Sequence, residues 1–253
     1  MKLPLILTIF AALPALANDL PQGLQSARIL PGWADPDGNR IAALELVLEP
    51  GWKTYWRSPG DAGLPPEFEW KGSNIGDVTF HWPAPEVITS DGVRTLGYHD
   101  RLVLPFTVAP AVAGKPIGLS ANVTFGLCEN ICIPAALDLI APAADAGPDP
   151  LIEAAIAATP RKSDQKPACE PGEIEDGMTL TLSMPEPGAD LAIEYDGMPD
   201  VWVSAPERNA SGTEVTVDLV APSGKPFPLD PGAVVMTVLG PDGATEYRGC
   251  AAG

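Results

Sequence analysis

The chain has 253 residues, of which 33 are Asp or Glu and 15 are Lys or Arg, so its formal net charge is −18. A charge of this sign repels nucleic acid and anionic membrane surfaces, and we expect no nucleic-acid partner. With 45% hydrophobic residues, 30 Pro and 25 Gly, the sequence is typical of a turn-rich globular protein rather than a disordered one.

The amino-terminal residues 1–17 have the pattern of a secretory signal peptide. Lys2 precedes an apolar run at 3–13, and a small-x-small triplet ends at Ala17, where we predict cleavage. The run is too short to span a bilayer and no later segment offers about 18 consecutive apolar residues, so we expect no stable membrane insertion. We therefore predict export to the bacterial periplasm, an oxidising compartment in which cysteines form disulfides.

Short runs rich in Val, Leu, Ile and aromatic residues recur along the chain between Gly, Pro and Asp. Several of them alternate apolar with polar residues, as half-buried antiparallel strands do, and their spacing favours β-sandwiches. The predicted strands cover residues 40–49, 78–82, 102–108, 117–125, 178–184, 191–195, 201–204, 213–220 and 234–240. We therefore predict an all-β protein of two sandwich domains.

Cys128 and Cys132 lie in the stretch VTFGLCENICIPAALDL, between two apolar runs. On a straight strand, residues four apart are separated by about 13 Å, whereas the Cα atoms of bridged cysteines lie within about 7 Å of each other. The chain must therefore turn at 129–131 if the two sulfurs are to meet, and the flanking runs then become neighbouring strands.

The cysteine pair fits three kinds of site: a redox pair, a structural disulfide or a thiolate metal site. A disulfide that closes so small a ring restricts the unfolded chain little, so it contributes little to stability. Such disulfides are often labile or catalytic. A metal needs further ligands, and the chain offers only His81 and His99, neither at ligand spacing. The residues favour a redox pair first, a structural disulfide second and a metal site third. We expect no cofactor.

One stretch, 149–162, has the pattern of a helix. Asp149 is placed to cap it and Pro150 occupies the first turn. Both flanks are rich in Pro, Asp, Ala and Lys, as linkers are. We therefore expect a short helical linker between the two sandwiches, with domain ranges of 18–145 for the first domain, 146–167 for the linker and 168–253 for the second domain.

Cys169 and Cys250 bracket the second predicted domain. In an oxidising compartment, two cysteines at the ends of one domain most often pair with each other. A bridge between them closes a loop of about 80 residues and contributes roughly 4 to 5 kcal/mol in the chain-entropy model. We therefore predict a structural disulfide between Cys169 and Cys250.

Four blocks of sequence together resemble a known family. They are GWKTYWRSPGDAGLPPEFEW (51–70), HWPAPEVI (81–88), GYHDRLVLPFTV (97–108) and VTFGLCENICIP (123–134). In this order they resemble the amino-terminal periplasmic domain of the thiol:disulfide interchange protein DsbD, in particular the variant found in the suppressor-of-copper-sensitivity protein B. The resemblance implies an immunoglobulin-like sandwich that carries a redox-active cysteine pair.

The resemblance also implies roles for individual residues. Cys132 corresponds to the cysteine that forms the mixed disulfide with partners, and Cys128 to the resolving thiol. A cap segment that shields the pair corresponds loosely to residues 88–96, in which Asp91 is the candidate acidic residue. Tyr55 corresponds to an aromatic residue that lies near the active site.

Two further residues complete the predicted surroundings of the pair. Glu129 directly follows Cys128, and its negative charge is expected to disfavour thiolate formation. Tyr98 lies just before a predicted strand and is expected in the vicinity of the pair.

We therefore predict a periplasmic thiol:disulfide exchange module. It relays electrons from a separate membrane-embedded donor, DsbD-like or CcdA-like, to oxidised periplasmic thioredoxin-fold proteins. One alternative is a periplasmic copper-binding or copper-stress protein whose thiolates hold Cu(I). The other alternative is a non-catalytic β-sandwich adaptor with an inert disulfide.

Overall fold

A computed structural model describes residues 20–60, 62–90 and 92–252 of the chain. The predicted signal peptide at 1–17 lies outside the described residues. Within the described ranges, no helix is long and apolar enough to cross a membrane.

The first half of the described chain forms a two-sheet β-sandwich. Its strands are β1 (Leu24–Ala34), β2 (Arg40–Leu48), β3 (Lys53–Tyr55), β4 (Glu67–Ser73), β5 (Ile75–Phe80), β6 (Glu86–Ser90), β7 (Val93–His99), β8 (Arg101–Pro110), β9 (Gly118–Cys128) and β10 (Cys132–Ile140). One sheet has the order β1-β2-β8-β5, and the other has the order β10-β9-β3-β7-β6, with β4 also paired to β9. Neighbouring strands of these two sheets are antiparallel.

A short helix, α1 (Pro150–Ala157), follows the first sandwich. Its start is as predicted, because the Asp149 side chain accepts a hydrogen bond from the backbone N–H of Leu151. Ile152 is fully buried against the outer face of the β1-β2-β8-β5 sheet. The helix ends at Ala157 and not at 162, because the chain becomes extended beyond it.

The rest of the described chain forms a second two-sheet sandwich. Its strands are β11 (Arg161–Ser163), β12 (Ala168–Ile174), β13 (Gly177–Ser183), β14 (Asp190–Tyr195), β15 (Trp202–Val203), β16 (Glu207–Arg208), β17 (Glu214–Val220), β18 (Val234–Gly240), β19 (Gly243–Arg248) and β20 (Ala251–Ala252), with a 3₁₀ turn at Pro231–Ala233. One sheet has the order β11-β19-β18-β14; the other has the order β15-β17-β13-β12-β20, with β16 also paired to β17.

Alternation of apolar and polar residues explains why these segments are strands. In β17, Val215, Val217 and Leu219 are buried, whereas the residues between them are partly exposed. Each of the nine strands predicted from this pattern overlaps an observed one: β2, β5, β8, β9, β13, β14, β15, β17 or β18. The prediction of two immunoglobulin-like sandwiches with a short helical linker is confirmed, and the exact domain boundaries stay a prediction.

Cys169 and Cys250 form a disulfide in the second sandwich, with their Cα atoms 5.7 Å apart. Both residues belong to the buried core of this sandwich. Cys169 lies in β12 and Cys250 follows β19, so the bond joins the beginning and the end of this domain's sequence, 81 positions apart. This placement is typical of a structural disulfide.

We expect removal of this bond to destabilise the second sandwich strongly. In the chain-entropy model, a bridge over about 80 residues contributes about 4.5 kcal/mol, and a bridge over about five residues contributes about 2 kcal/mol. The Cys169→Ala/Cys250→Ala variant should therefore lower the free energy of unfolding of β13 and β17 substantially, as measured by native-state hydrogen exchange. Cys128→Ala/Cys132→Ala is the matched control in the first sandwich. If both variants lowered the free energy of unfolding of their own sandwich equally, the assignment of Cys169–Cys250 as the stabilising disulfide would be contradicted.

Candidate redox site

The two cysteines of the first sandwich lie at the end of a β-hairpin. Strand β9 ends at Cys128, β10 begins at Cys132, and the two residues are direct partners in the antiparallel register. Their Cα atoms are 4.2 Å apart and their sulfurs form a disulfide. The turn predicted at 129–131 from the length of the intervening segment is therefore confirmed.

The disulfide lies on the outer face of the six-stranded sheet. Cys128 is the register partner of Lys53 in β3, so the side chains of these two residues share one face. Their neighbours Leu127 and Thr54 are fully buried, and Leu127 belongs to the core between the two sheets. Because successive residues of a strand face opposite sides, Cys128 and Lys53 point away from that core.

The two sulfurs differ in their accessibility. Cys128 is 1% exposed, whereas Cys132 on the edge strand β10 is exposed to solvent. Thiol–disulfide exchange begins when a thiolate reaches one sulfur of the bond. Cys132 is therefore the member of the pair that is open to solvent, while Cys128 is protected.

Tyr55 contacts both sulfurs of the disulfide. Its hydroxyl oxygen lies 2.7 Å from Sγ of Cys128 and 3.1 Å from Sγ of Cys132. The same hydroxyl can also donate its proton to the carbonyl oxygen of Ala62, at the longer distance of 3.4 Å. Burial raises the pKa of Tyr55, so the hydroxyl keeps its proton and is available as a hydrogen-bond donor to sulfur.

Two glycines make room for the Tyr55 ring. A Cβ atom at Gly126 would lie 2.8 Å from Cδ2 of the ring, and one at Gly63 would lie 2.9 Å from Cδ1. Distances this short are not tolerated between carbon atoms, so the ring fits because both positions lack a side chain. Gly126 belongs to β9, two residues before Cys128, which brings the ring directly beside the disulfide.

Lys53 is a further component of the site that the sequence reasoning missed. It is buried, and its Nζ donates a hydrogen bond to Oγ of Ser90 at 2.9 Å. The signal in the sequence is the alternation in GWKTYW, which places Lys53 and Tyr55 on one face of the same strand. Ser90 ends β6, so this bond also ties the β6–β7 hairpin to the cysteine face.

The predicted cap segment at 88–96 corresponds to the β6–β7 hairpin. Ser90, within this segment, is bonded to Lys53, which is opposite Cys128 in register. Asp91, the candidate acidic residue of the cap, lies outside the described residues. The described part of the segment therefore borders the cysteine face of the sheet.

The structure brings Glu129 to the site but not Tyr98. Glu129 is exposed beside Gly51, where a Cβ atom would lie 3.4 Å from its Oε1, so solvent screens its charge. Tyr98 belongs to the sandwich core, and its hydroxyl donates to the carbonyl oxygen of Pro83 at 2.8 Å. Burial raises the pKa of Tyr98 well above its usual value. As the register partner of Thr54, Tyr98 faces the opposite side of the sheet from Tyr55.

Exposed apolar side chains lie next to the accessible cysteine. Ile131, in the turn directly before Cys132, is 76% exposed, and Leu64 is 43% exposed. Leu64 is close to the site because a Cβ atom at Gly126 would lie 2.8 Å from its own Cβ. The sequence analysis did not single out either residue, although an Ile in a tight polar turn is itself unusual.

The described residues, which omit 1–19, 61, 91 and 253, contain no group of three or more His, Cys, Asp or Glu placed to hold a metal ion. His99, one of the two histidines, hydrogen-bonds through Nδ1 to Oε2 of Glu86 at 2.9 Å. His81 hydrogen-bonds through Nε2 to Oγ1 of Thr107 at 2.8 Å. Both histidines therefore serve local polar contacts in the sandwich.

Comparison with known proteins agrees with this geometry. Residues 25–144 match the family model described as thiol:disulfide interchange protein DsbD, N-terminal. The chain is also similar to the crystal structure of the N-terminal periplasmic domain of ScsB from Proteus mirabilis, with 26% sequence identity and a TM-score of 0.65. That match covers 90% of this chain and 92% of the other, so it includes both sandwiches.

Two other comparisons give no information on the fold or the site. Murine CEACAM1b matches over 90% of this chain and 99% of its own, but with 10% identity and a TM-score of only 0.22. The search of curated proteins found no match.

The family match includes the elements that form the site. Residues 25–144 contain β3 with Tyr55 and the β9–β10 hairpin with its disulfide. The chain therefore carries a domain of the thiol:disulfide interchange type with its cysteine pair in place. The amino-terminal sandwich of this chain is thus similar, over residues 25–144, to the DsbD amino-terminal domains.

Proposed function

We propose that this chain is a periplasmic thiol:disulfide exchange protein that relays electrons through Cys128 and Cys132. The observation that carries the proposal is the asymmetry of the pair: Cys132 is exposed, Cys128 is 1% exposed, and the Tyr55 hydroxyl reaches both sulfurs. Exchange needs an accessible sulfur, a second sulfur that can leave, and control over exposure. The exposure of Cys132 supports the first of these roles for it, and the burial of Cys128 beneath Tyr55 supports the other two.

Reduction of the pair begins with a thiolate of the electron donor. It attacks Sγ of Cys132 in line with the S–S bond, which breaks and leaves its electron pair on Sγ of Cys128. The donor sulfur is then joined to Cys132 in a mixed disulfide. A second donor thiolate attacks the donor's own sulfur, so Cys132 is released and the donor leaves as a disulfide. Both cysteines of the site take up a proton from solvent to become thiols.

Oxidation of the pair by a client runs through the same two sulfurs. The Cys132 thiolate attacks a disulfide of the client, and one client sulfur leaves with the electron pair of that bond. The Cys128 thiolate then attacks Sγ of Cys132, re-forms the disulfide and releases the client as a dithiol. Two electrons have moved from the donor to the client, and no cofactor takes part.

Tyr55 supports the charge that develops on Cys128. The Tyr55 hydroxyl, 2.7 Å from Sγ of Cys128, can donate a hydrogen bond to the departing thiolate. The hydroxyl therefore assists the step in which the S–S bond breaks.

The proposed partners follow from the family and from the surface around Cys132. A domain of the DsbD amino-terminal type is expected to take electrons from a membrane-embedded donor, DsbD-like or CcdA-like, and to pass them to thioredoxin-fold proteins. The matched ScsB domain is a periplasmic one, which supports the same location for this chain. Exposed Ile131 gives such partners an apolar contact beside the reactive sulfur.

We expect that thiol reductants can reduce the Cys128–Cys132 disulfide without unfolding the protein. Equilibration in thiol redox buffers, followed by alkylation and mass measurement, should give a reduction potential well above about −300 mV, the range of stable structural disulfides. Cys169–Cys250 is the internal control and should remain oxidised under the same conditions. The Cys132→Ser variant should form no mixed disulfide, and a pair reduced only in denaturant would support the adaptor alternative instead.

Removing the Tyr55 hydroxyl should slow reduction of the pair. Tyr55→Phe keeps the ring between its two glycines and deletes only the hydroxyl, so the fold should be retained. A hydrogen bond to a charged group contributes about 1.5 kcal/mol or more, which corresponds to about a tenfold lower rate of reduction by dithiothreitol. Tyr247→Phe, in the second sandwich, is the control; an unchanged rate in Tyr55→Phe would exclude this role for the hydroxyl.

Replacing Ile131 with a polar residue should weaken docking of protein partners but leave the chemistry intact. Ile131→Ser should slow exchange with a purified thioredoxin-fold protein by about threefold or more, because an apolar contact is lost. The rate with dithiothreitol, which has no docking surface, should stay the same. Ile140→Ser is the matched control, since Ile140 ends β10, the strand that Ile131 directly precedes, and is 82% exposed. Equal rates for both variants would argue against docking at Ile131.

A further inference from the structure

The chain that follows Tyr55 folds back over it. We call this segment, residues 56–60, 62 and 63, the covering loop. The backbone N–H of Trp56 donates to the carbonyl oxygen of Leu96 at 3.1 Å. The N–H of Leu96 donates to the carbonyl oxygen of Pro59 at 3.0 Å. The covering loop is therefore fixed to β7 close to the Tyr55 ring, and its Ala62 carbonyl lies next to the Tyr55 hydroxyl.

The side chain of Arg57 leaves the covering loop and binds the second sandwich. Its Nε and Nη2 donate to the two carboxylate oxygens of Glu194 at 2.9 and 2.8 Å, a bidentate pair. Nη2 also donates to Oε2 of Glu246 at 2.9 Å. The guanidinium lies over the ring of Trp56, with Cζ 4.3 Å from the ring centroid.

This ion pair is well shielded from solvent. The side chain of Arg57 is 24% exposed, and those of Glu194 and Glu246 are 16% and 8% exposed. The two carboxylates raise the pKa of Arg57, so the guanidinium stays charged. Partly buried charges interact more strongly than surface pairs, and the planar guanidinium fixes its orientation as well as its distance.

A second arginine holds the other side of the covering loop to the same strand. Nη2 of Arg94 in β7 donates to the carbonyl oxygen of Leu191 at 2.9 Å and lies 3.6 Å from Oδ1 of Asp190. The carbonyl oxygen of Arg94 borders the loop, because a Cβ atom at Gly60 would lie 3.5 Å from it. Strand β14, which contains Leu191 and Asp190, therefore anchors both the loop and the strand to which the loop is bonded.

Apolar packing joins the two sandwiches at the same place. Ala192 of β14 is buried in the core cluster of the first sandwich, and Leu239 of β18 packs against that cluster. Ala192 and Glu194 are two residues apart on β14 and so lie on one face of it. The outer face of this sheet is therefore the surface on which the covering loop rests.

We propose that Glu194 and Glu246 are positioning residues for the redox site of the first sandwich. Through Arg57 they hold the covering loop, and the loop holds the Tyr55 hydroxyl against the Cys128–Cys132 disulfide. The inference rests on the proposed function and extends it, because it makes the second sandwich part of the redox machinery. It also explains why the bidentate pair joins two residues 137 positions apart in sequence.

A double-mutant cycle with Tyr55 tests this inference. Glu194→Gln/Glu246→Gln removes both negative charges and keeps the side-chain shapes. In the full-length protein, the rate of reduction by dithiothreitol should fall by about threefold, because residues that act through one another are coupled. In the Tyr55→Phe background the same change should have no effect, because the hydroxyl that the loop positions is absent. The reduction potential of the pair should follow the same pattern.

Two further variants make the cycle decisive. Arg57→Lys keeps the charge but loses the bidentate bond, and it should reproduce the result if the double Gln variant does not fold. Arg28→Gln is the control, since Arg28 pairs with Glu45 within the first sandwich, and its rate should equal that of the unmodified protein.

The outcomes separate this inference from the proposed function. The positioning role would be overturned if the glutamate variants were reduced at an unchanged or a faster rate. It would also be overturned if they slowed reduction equally with and without the Tyr55→Phe change. If the folded, unmodified protein is not reduced by dithiothreitol, the proposed function fails as well. If it is reduced and Tyr55→Phe slows it while the glutamate variants do not, only the present inference fails.

Discussion

The register of the β9–β10 hairpin is the constraint on which the site depends. Because Cys128 and Cys132 are direct partners, their side chains point to the same face of the sheet and can bridge. A shift of one residue would turn Cys128 into the core and place Leu127 outside. The order of strands in the sheet puts Cys132 on the edge strand β10 and Cys128 one strand further in, on β9. The difference in exposure between the two sulfurs is thus a property of the sheet.

The same face of the sheet explains why Lys53 and Tyr55 lie beside the disulfide. Strand β3 is only three residues long, yet every residue in it is buried, because the core covers one face and the covering loop the other. Gly126 and Gly63 leave space for the Tyr55 ring, and Gly97 lets β7 approach, since a Cβ atom there would lie 2.2 Å from the carbonyl oxygen of Thr54. The glycines of the first sandwich therefore determine how closely the tyrosine approaches the sulfurs.

The sequence predicts those parts of the structure that follow from local periodicity. Long alternating strands such as β17, the cap of α1 at Asp149 and the turn at 129–131 could be recognised because their determinants lie within a few residues. Tyr98 was expected near the pair, but its orientation depends on pairing with Thr54, which is 44 positions away in the chain. A strand as short as β3 shows only one repeat of the alternation, which is too little to identify it as a strand, and the bond between Arg57 and Glu194 joins the two sandwiches. Such features depend on tertiary contacts that a single sequence does not display.

The two disulfides of this chain show why a bridge alone does not indicate function. Cys169 and Cys250 are both buried in a core, and their bond closes a long segment. Cys128 and Cys132 close a short segment, and one of their sulfurs faces solvent while a tyrosine hydroxyl contacts both. The first arrangement stabilises the folded chain and hides its sulfurs, whereas the second adds less stability and leaves one of its cysteines exposed. The immunoglobulin-like fold supports both, so the chemistry depends on the surroundings of each pair.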